Sequence, residues 1–277
     1  MKSAVIIGCG YLGMKIATLL SQKKIHVTAT TRHVERLKEL AQVAQKGVIL
    51  KSTQEEVFHS LIQVNDLIIV TIAPDRREAY DSTYLQTAQT IRQIAASHPS
   101  PKWLIYTSST SVYGDHHGLW VDEDSPLLSQ TPQGKCLIDT ENCYLSLKEF
   151  GWTTTLFRVS ELYGPPGREL QQKALRMQEF AAFNSKDHYT NMIHGNDAAT
   201  AIDYAISHHL KGIYNLADDE HPTRQEFYSQ LAKHYQLAEP TWDPSLSSFH
   251  SDNKRVSNHK IKSAGFSFEH PHRNLAM

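Results

Sequence analysis

The sequence predicts an α/β fold: a doubly wound parallel sheet with a small C-terminal lobe. Three observations predict it. Strand-like and helix-like segments alternate from Ala4 to Phe157. The strand-like runs are short and almost continuously apolar, the mark of strands covered on both faces. Gly8-Cys9-Gly10-Tyr11-Leu12-Gly13 stands between the first such run and the first helical stretch.

Taken in order, the strand-like runs are Ala4–Ile7, His26–Thr30, Val48–Leu50, Leu67–Ile72, Trp103–Thr107 and Thr154–Phe157. The helical stretches between them are Leu12–Gln22, Val34–Gln45, Glu55–Gln63, Tyr80–Ser97 and Cys136–Phe150. Right-handed crossovers then leave the doubly wound (Rossmann) order. After Gly164-Pro165-Pro166-Gly167 the rhythm changes. Glu169–Phe183 reads as helix, Met192–His194 as a short strand, and Asn196 or Asp197 as the cap of a helix over Ala198–Ser207. Gly212–Leu216 is another strand. Thr223 with Glu226 forms a capping box for a helix reaching Tyr235. Lys254 to Phe268 reads as a small helix followed by a strand. The expected division is a core over 1–164 and a smaller substrate lobe over 165–277, interleaved with the core.

The glycine-rich segment has a physical logic. Gly8 supplies the backbone angles of the turn, Gly10 lets the chain approach a pyrophosphate, and Gly13 lets the helix pack against the strand. The N-terminus of that helix, with Tyr11 and Leu12, offers N–H groups and a positive dipole end to phosphates. This is the dinucleotide-binding arrangement. The selector position lies nineteen residues beyond Gly13 and is Arg32, in Thr30-Thr31-Arg32, with Arg36 one turn later. An acid there would bond the ribose hydroxyls of NAD, whereas a guanidinium suits a 2′-phosphate. The expected cofactor is therefore NADP rather than NAD, and Arg32 also speaks against S-adenosylmethionine. The plainer alternative is a solvated arginine at a strand end. Thr31 would join the cofactor contacts, and Ile72 and Ala73, ending the fourth strand, would line the crevice.

Composition narrows the classes. A chain of 277 residues with formal net charge −1 and no basic block points away from nucleic acid and membrane surfaces. Cys9, Cys136 and Cys143 form no CxxC pair and read as thiols in a reducing compartment. The first strand leaves no room for a signal peptide, and no apolar run approaches the length of a membrane span. The expectation is a cytoplasmic protein acting on a small molecule, with a homodimer as the prior for this fold. No metal-ligand spacing stands out. His116-His117 and His208-His209 are adjacent pairs whose side chains point apart.

Tyr106-Thr107-Ser108-Ser109-Thr110-Ser111-Val112-Tyr113-Gly114, together with the glycine motif, resembles the extended short-chain dehydrogenase/reductase family, also called the NAD-dependent epimerase/dehydratase family. Arg158 closing the sixth strand, Tyr163-Gly164-Pro165, Asn191-Met192-Ile193-His194 with Asp197, and Tyr214-Asn215-Leu216 extend the resemblance over nearly the whole chain. It implies that Ser109 hydrogen-bonds a substrate carbonyl or alcohol beside the nicotinamide. The alternative is that Ser108 to Ser111 satisfy loop backbone groups. It also places Leu162 at the cofactor, and Gln133, Arg158, Tyr163 and His194 at the substrate. Arg158 either clamps an anionic group or holds a structural carboxylate. His194 either contacts substrate or bridges backbone groups, and Asp197 reads as a cap before a catalytic acid.

One departure matters. The family's chemistry uses a tyrosine and a lysine four residues later, and counting twenty-four residues on from Ser109 puts them at Gln133 and Leu137. Glutamine is no acid or base at neutral pH, and Lys135 lies on another helix face. Tyr144-Leu145-Ser146-Leu147-Lys148 fits the spacing, but sits roughly 16 Å too far along its helix at about 1.5 Å per residue. The chain therefore resembles an atypical branch. Tyr113 is the leading substitute acid, with His194 and Tyr163 behind it. Nucleotide-sugar members often carry an arginine where this chain has Thr190. The reading is an NAD(P)(H)-binding oxidoreductase or epimerase-type protein that moves hydride to or from a polar small molecule. The alternative is a catalytically silent NADP(H)-binding redox sensor or regulatory protein.

Overall fold

The computed structural model describes residues 2–51, 54–74, 79–97, 100–246 and 252–276. Its strands are β1 (Ser3–Ile7), β2 (His26–Thr31), β3 (Lys46–Ile49), β4 (Leu67–Val70), β5 (Trp103–Ser109), β6 (Trp120–Val121), β7 (Thr153–Val159), β8 (Glu161–Tyr163), β9 (Met192–His194), β10 (Gly212–Leu216) and β11 (Arg255–Val256). Its α-helices are α1 (Tyr11–Gln22), α2 (Leu37–Leu40), α3 (Glu55–Val64), α4 (Gln86–Ser97), α5 (Pro132–Leu145), α6 (Leu170–Met177), α7 (Gly195–His208), α8 (Arg224–His234) and α9 (His259–Ser263). The chain forms two compact units: residues 1–109, 131–158 and 199–214, and residues 110–130, 159–198 and 215–277.

The sheet has seven strands in the order β10-β7-β5-β4-β1-β2-β3. β1 pairs in parallel with β2 on one side and β4 on the other, β3 extends the β2 side, and β5 extends the β4 side. The chain winds outward from β1 to β3, then returns to the opposite side of β1. The carboxyl ends of β1 and β4, where Ile7 pairs with Val70, form the topological switch point at which open α/β sheets bind ligands. This is the doubly wound sheet that the alternation predicts.

The apolar runs explain why these segments are central strands. Val5, Ile68, Val70 and Leu104 are fully buried and share one core with Phe58, Leu61 and Ile62 of α3, Ile91 and Ala95 of α4, and Tyr144 and Leu147. Each such side chain contributes about 1.5–3 kcal/mol by leaving water. Tyr144 packs its ring 4.7 Å from that of Tyr106 in this core. It is thus a packing residue, as its late place on the helix suggests. α5 is held to β7 by a buried pair, with Arg158 Nη2 donating to Glu141 Oε2 at 2.9 Å.

In the second unit, β8 and β9 form a short parallel pair in which Tyr163 faces His194. Tyr163, Leu170, Met177, Met192, Phe227 and Leu231 make a separate core. The capping box at Thr223 and Glu226 is present at the start of α8.

Several boundaries differ from the sequence pattern. The helix expected over Val34–Gln45 is one 3-10 turn (Val34–Arg36) followed by α2 alone. β3 starts early, with Lys46 opposite Thr28, so the chain has no length left for more helix. α5 starts at Pro132, before the expected Cys136, because Thr131 caps it by accepting from the Gly134 N–H at 3.0 Å. α6 stops at Met177, and Phe183 instead exchanges backbone hydrogen bonds with Thr241 and Asp243. α7 begins at Gly195, so Asp197 lies inside the first turn and is not the cap. In the tail the order is reversed, strand before helix. Asn191 draws the strand in: its Oδ1 accepts from Val256 N at 2.8 Å and its Nδ2 donates to Lys254 O at 2.9 Å. No local pattern announces a contact over that separation.

Candidate functional site

The three glycines differ in what surrounds them. Gly8 has φ +84°, and a Cβ there would lie 2.5 Å from Ile72 Cγ2 and 2.7 Å from Ile72 Cα. No side chain fits. A Cβ on Gly13 would meet Thr71 Oγ1 at 2.9 Å, Gly8 O at 3.2 Å and Ile6 Cγ2 at 3.3 Å, so the helix packs too closely there for a side chain. Beside Gly10 nothing lies within 4 Å of a Cβ position. The middle glycine therefore guards open space rather than packing. α1 starts there, no side chain of its N-cap residue Gly10 caps it, and its first turn carries no acid, so its positive dipole end is not offset locally. A conformational glycine, an open one and a packing one at the switch point fit the cradle of a dinucleotide pyrophosphate.

Hydrogen bonds fix the turn. Gly8 N donates to Thr30 Oγ1 at 3.0 Å, Cys9 N to Thr30 O at 2.8 Å, and Thr71 Oγ1 to Gly8 O at 2.9 Å. Cys9 is buried beneath the turn. Burial pushes its thiol up to about 12 against the pull of Arg36, so it is an inert filler. At the end of β2, Thr31 is buried and accepts from His33 N at 3.2 Å. Arg32 is exposed, with Nη2 donating to Ala73 O at 3.3 Å. β4 ends at Val70, so Ile72 and Ala73 lie in the loop that follows it, against Gly8 and Arg32 respectively. Tyr11 opens α1 with Lys15 Nζ 5.1 Å from its ring centre, and Leu12 is buried behind it. The structure thus brings together Gly8, Gly10, Tyr11, Leu12, Gly13, Thr31, Arg32, Ile72 and Ala73.

Elsewhere in this unit, Ser109 is the last residue of β5. Gln133 lies in the first turn of α5, and Leu137, one turn on, is buried. Gln133 borders a depression of about 360 Å³ shared with Tyr80, Asp81, Lys135, Cys136 and Asp139. Arg158 is buried on Glu141, the second of its two alternatives.

The remaining candidates belong to the second unit. Tyr113 is buried, and its hydroxyl donates to Asn215 Oδ1 at 2.6 Å. Asn215 in turn donates its N–H to Glu123 Oε1 at 2.7 Å and its Nδ2 to Ser257 O at 3.1 Å. Tyr163 and His194 are buried with ring centres 5.2 Å apart. Gly164, at φ +99°, leaves room for His194, whose Nε2 takes the space that a Cβ would need. His194 Nδ1 accepts from the Asn196 backbone N–H at 3.4 Å. Leu162 sits on β8 opposite Ile193. Asp197 binds the tail, accepting from Glu269 N at 2.9 Å and His270 N at 2.8 Å. One ligand atom each from Asp197, Glu269 and His270 lie within 4.8 Å, and the tail's backbone already engages both carboxylate oxygens of Asp197.

Sequence reasoning missed two residues here, Arg273 (with its partner Asp218) and His221. Thr190 accepts from Arg273 Nη1 at 2.7 Å, and Arg273 Nε donates to buried Asp218 at 2.9 Å. Burial raises Asp218 to about 6 despite the arginine. His221 is the other. Its Nδ1 lies 3.0 Å from Asn191 Oδ1, and its ring meets the Trp120 ring edge-on at 4.9 Å. Burial and then Arg273 push it down to about 4. Neither residue lies in a recognisable motif.

Residues 4–217 match the NAD dependent epimerase/dehydratase family. The chain belongs to that family. Protein YeeZ of Escherichia coli (strain K12) is 30% identical over 282 residues, covering 98% of this chain and 97% of YeeZ. A functionally unknown conserved protein from Silicibacter pomeroyi DSS has TM-score 0.77 at 23% identity, covering 98% of this chain and 95% of its own. UDP-glucose 4-epimerase of Thermus thermophilus, in complex with NAD, has TM-score 0.78 at 16% identity, covering 96% and 94%. These structures share the extended short-chain Rossmann fold. Among the described residues no helix is long and apolar enough to cross a membrane.

The glycine contacts separate two substitutions. Gly10→Ala is expected to leave the melting temperature within about 2 °C of wild type, since a methyl group there meets nothing. Gly8→Ala is expected to cost about 3 kcal/mol or more, from its angle and from Ile72. Similar melting curves for the two variants would contradict the division of roles.

His221 ties the second unit to pH. Its folded value, about 4, lies below the ordinary value of 6.5, so the unfolded chain takes the proton first. Stability is then lost as pH falls from 6.5 toward 4, by about 2 kcal/mol at pH 5. Asp218 works in the opposite sense, its raised value adding stability as pH falls through 6. His221→Gln is expected to remove the acid-side loss in thermal melts at pH 7 and pH 5. An unchanged pH difference would count against it.

Proposed function

We propose that this chain binds a nicotinamide dinucleotide at the glycine turn, NADP(H) in preference to NAD(H). We further propose that it works as an oxidoreductase or epimerase-type protein on a polar small molecule. One observation carries the reading: the open space at Gly10, between a glycine that only a turn explains and a glycine that only close packing explains. The NAD in the Thermus thermophilus epimerase complex and membership of the family support the cofactor class. The NADP preference is supported by Arg32, which stands at the end of β2 where an acid would select NAD.

When bound, the dinucleotide supplies or accepts hydride. The chain's own residues do the rest. The turn and the start of α1 hold the pyrophosphate. Ile72 and Ala73 line the crevice. Ser109, at the end of β5, orients a substrate oxygen by hydrogen bonding. Arg32→Ala is expected to weaken NADPH by about 1.5–3 kcal/mol and to leave NADH nearly untouched, measured by fluorescence titration. Equal losses would contradict the selector role.

A specific observation favours a second reading, a silent NADP(H)-binding sensor. Gln133 and Leu137 begin α5 where the family's tyrosine and lysine would stand, and Tyr113, Tyr163 and His194 are all buried. NADPH oxidation against aldehydes, keto acids and sugars separates the two. The enzyme reading expects turnover with at least one class, reduced tenfold or more in Ser109→Ala. Tight binding without turnover across the panel would make the protein a sensor.

A further inference from the structure

We propose that Arg255, Trp120 and Tyr189 form a preformed binding site for a small organic anion, one whose carboxylate or phosphate stands beside a flat ring. The three residues belong to the second unit, and the inference does not depend on the dinucleotide reading of the glycine turn.

Strand pairing builds the site. β11 runs parallel to β6, with Arg255 opposite Trp120 and Val256 opposite Val121. Side chains alternate faces along a strand, so each opposed pair shares a face. Val121 and Val256 are fully buried, and Arg255 and Trp120 are turned the other way. Arg255 Cζ lies 5.1 Å from the Trp120 ring centre and 4.7 Å from that of Tyr189, so two aromatic rings flank the guanidinium. Gly118 fixes it in place: its carbonyl accepts from Arg255 Nε at 3.0 Å. A Cβ on Gly118 would lie 3.0 Å from Tyr189 Cε2, so the glycine also lets that ring come close. Tyr189 is held in turn by Asn253, whose Oδ1 accepts from Tyr189 N at 3.0 Å. His221 supports the Trp120 ring edge-on, and burial keeps its imidazole neutral at pH 7.

The anion-binding side of the guanidinium is left over. Nη1 and Nη2 make no hydrogen bond among the described residues, and both reach solvent. Arg255 makes no ion pair among those residues. A fork already fixed at Nε loses little freedom on meeting an oxyanion, and its paired N–H groups match a carboxylate or phosphate. Tryptophan is highly buried on average, yet Trp120 is 55% exposed and its neighbour Leu119 63% exposed. The bare indole gives a flat ring a surface to stack on beside the fork. An arginine kept only for packing has no need of an open fork next to an open indole.

The test is nitrogen–proton NMR of the full chain at pH 7, titrated separately with phenyl phosphate, benzoate, inorganic phosphate and phenol. The Trp120 indole resonance is assigned by its loss in Trp120→Phe. Phenyl phosphate, benzoate or both are expected to shift that resonance saturably, and to bind about tenfold or more tighter than phenol or inorganic phosphate. Whichever of the two binds tighter identifies the oxyanion. Arg255→Lys keeps the charge and loses the fork, and is expected to weaken this binding by about tenfold or more, with a thermal melt to check folding. No saturable shift with either ring-bearing anion overturns the inference. So does phenol or inorganic phosphate binding as well as they do, or a smaller loss in a folded Arg255→Lys. Should Arg255→Lys fail to fold, the wild-type comparison of the two ring-bearing anions with phenol and inorganic phosphate decides alone. The dinucleotide reading stands or falls separately from every one of these outcomes.

Discussion

Gly8 lies so close to the loop after β4 that its absent side chain would sit 2.5 Å from Ile72. That approach depends on β1 and β4 being adjacent parallel strands whose ends coincide at Ile7 and Val70. It sets the direction of α1, whose Gly13 closes on Thr71 and on Gly8 O. It leaves Gly10 facing open space, and it puts Thr30, Cys9 and Arg36 around one turn. Moving any of these residues disturbs the crevice at the switch point. The functional reading therefore stands on a packing fact.

The parts of the fold that are legible in the sequence are those in which local pattern and tertiary position agree. β1, β4 and β5 are apolar runs because both faces of the sheet are covered. The glycine spacing reads directly because each glycine answers a separate steric demand. Local pattern fails where distant groups decide. Asn191 places the tail strand before the helix. The short span to Lys46 truncates α2. Asp197 looks like a helix cap in sequence, yet it receives the N–H groups of Glu269 and His270 from the far end of the chain.

The candidate site divides along the same line. Residues whose role depends on backbone geometry, from Gly8 to Gly13, can be read in advance. Residues whose role depends on what their side chains face cannot. Tyr113 resembles a substitute acid in its place after Ser109, but its hydroxyl is engaged by Asn215, more than a hundred residues away. Arg158 has two readings in sequence, and the structure shows it paired with buried Glu141. The second unit is held from within by such pairs, Arg273 with Asp218 among them. A buried charge pair of this kind costs about 3–5 kcal/mol when one partner is removed, so these residues serve the frame.

The central claim is that the turn between β1 and α1 cradles a pyrophosphate. Isothermal calorimetry of the well-folded wild-type chain with NADPH, NADP⁺, NADH and NAD⁺ addresses it most directly. The account predicts saturable heat at one dinucleotide per chain, tighter for the phosphorylated pair. A folded sample that gives no heat with any of the four would contradict it.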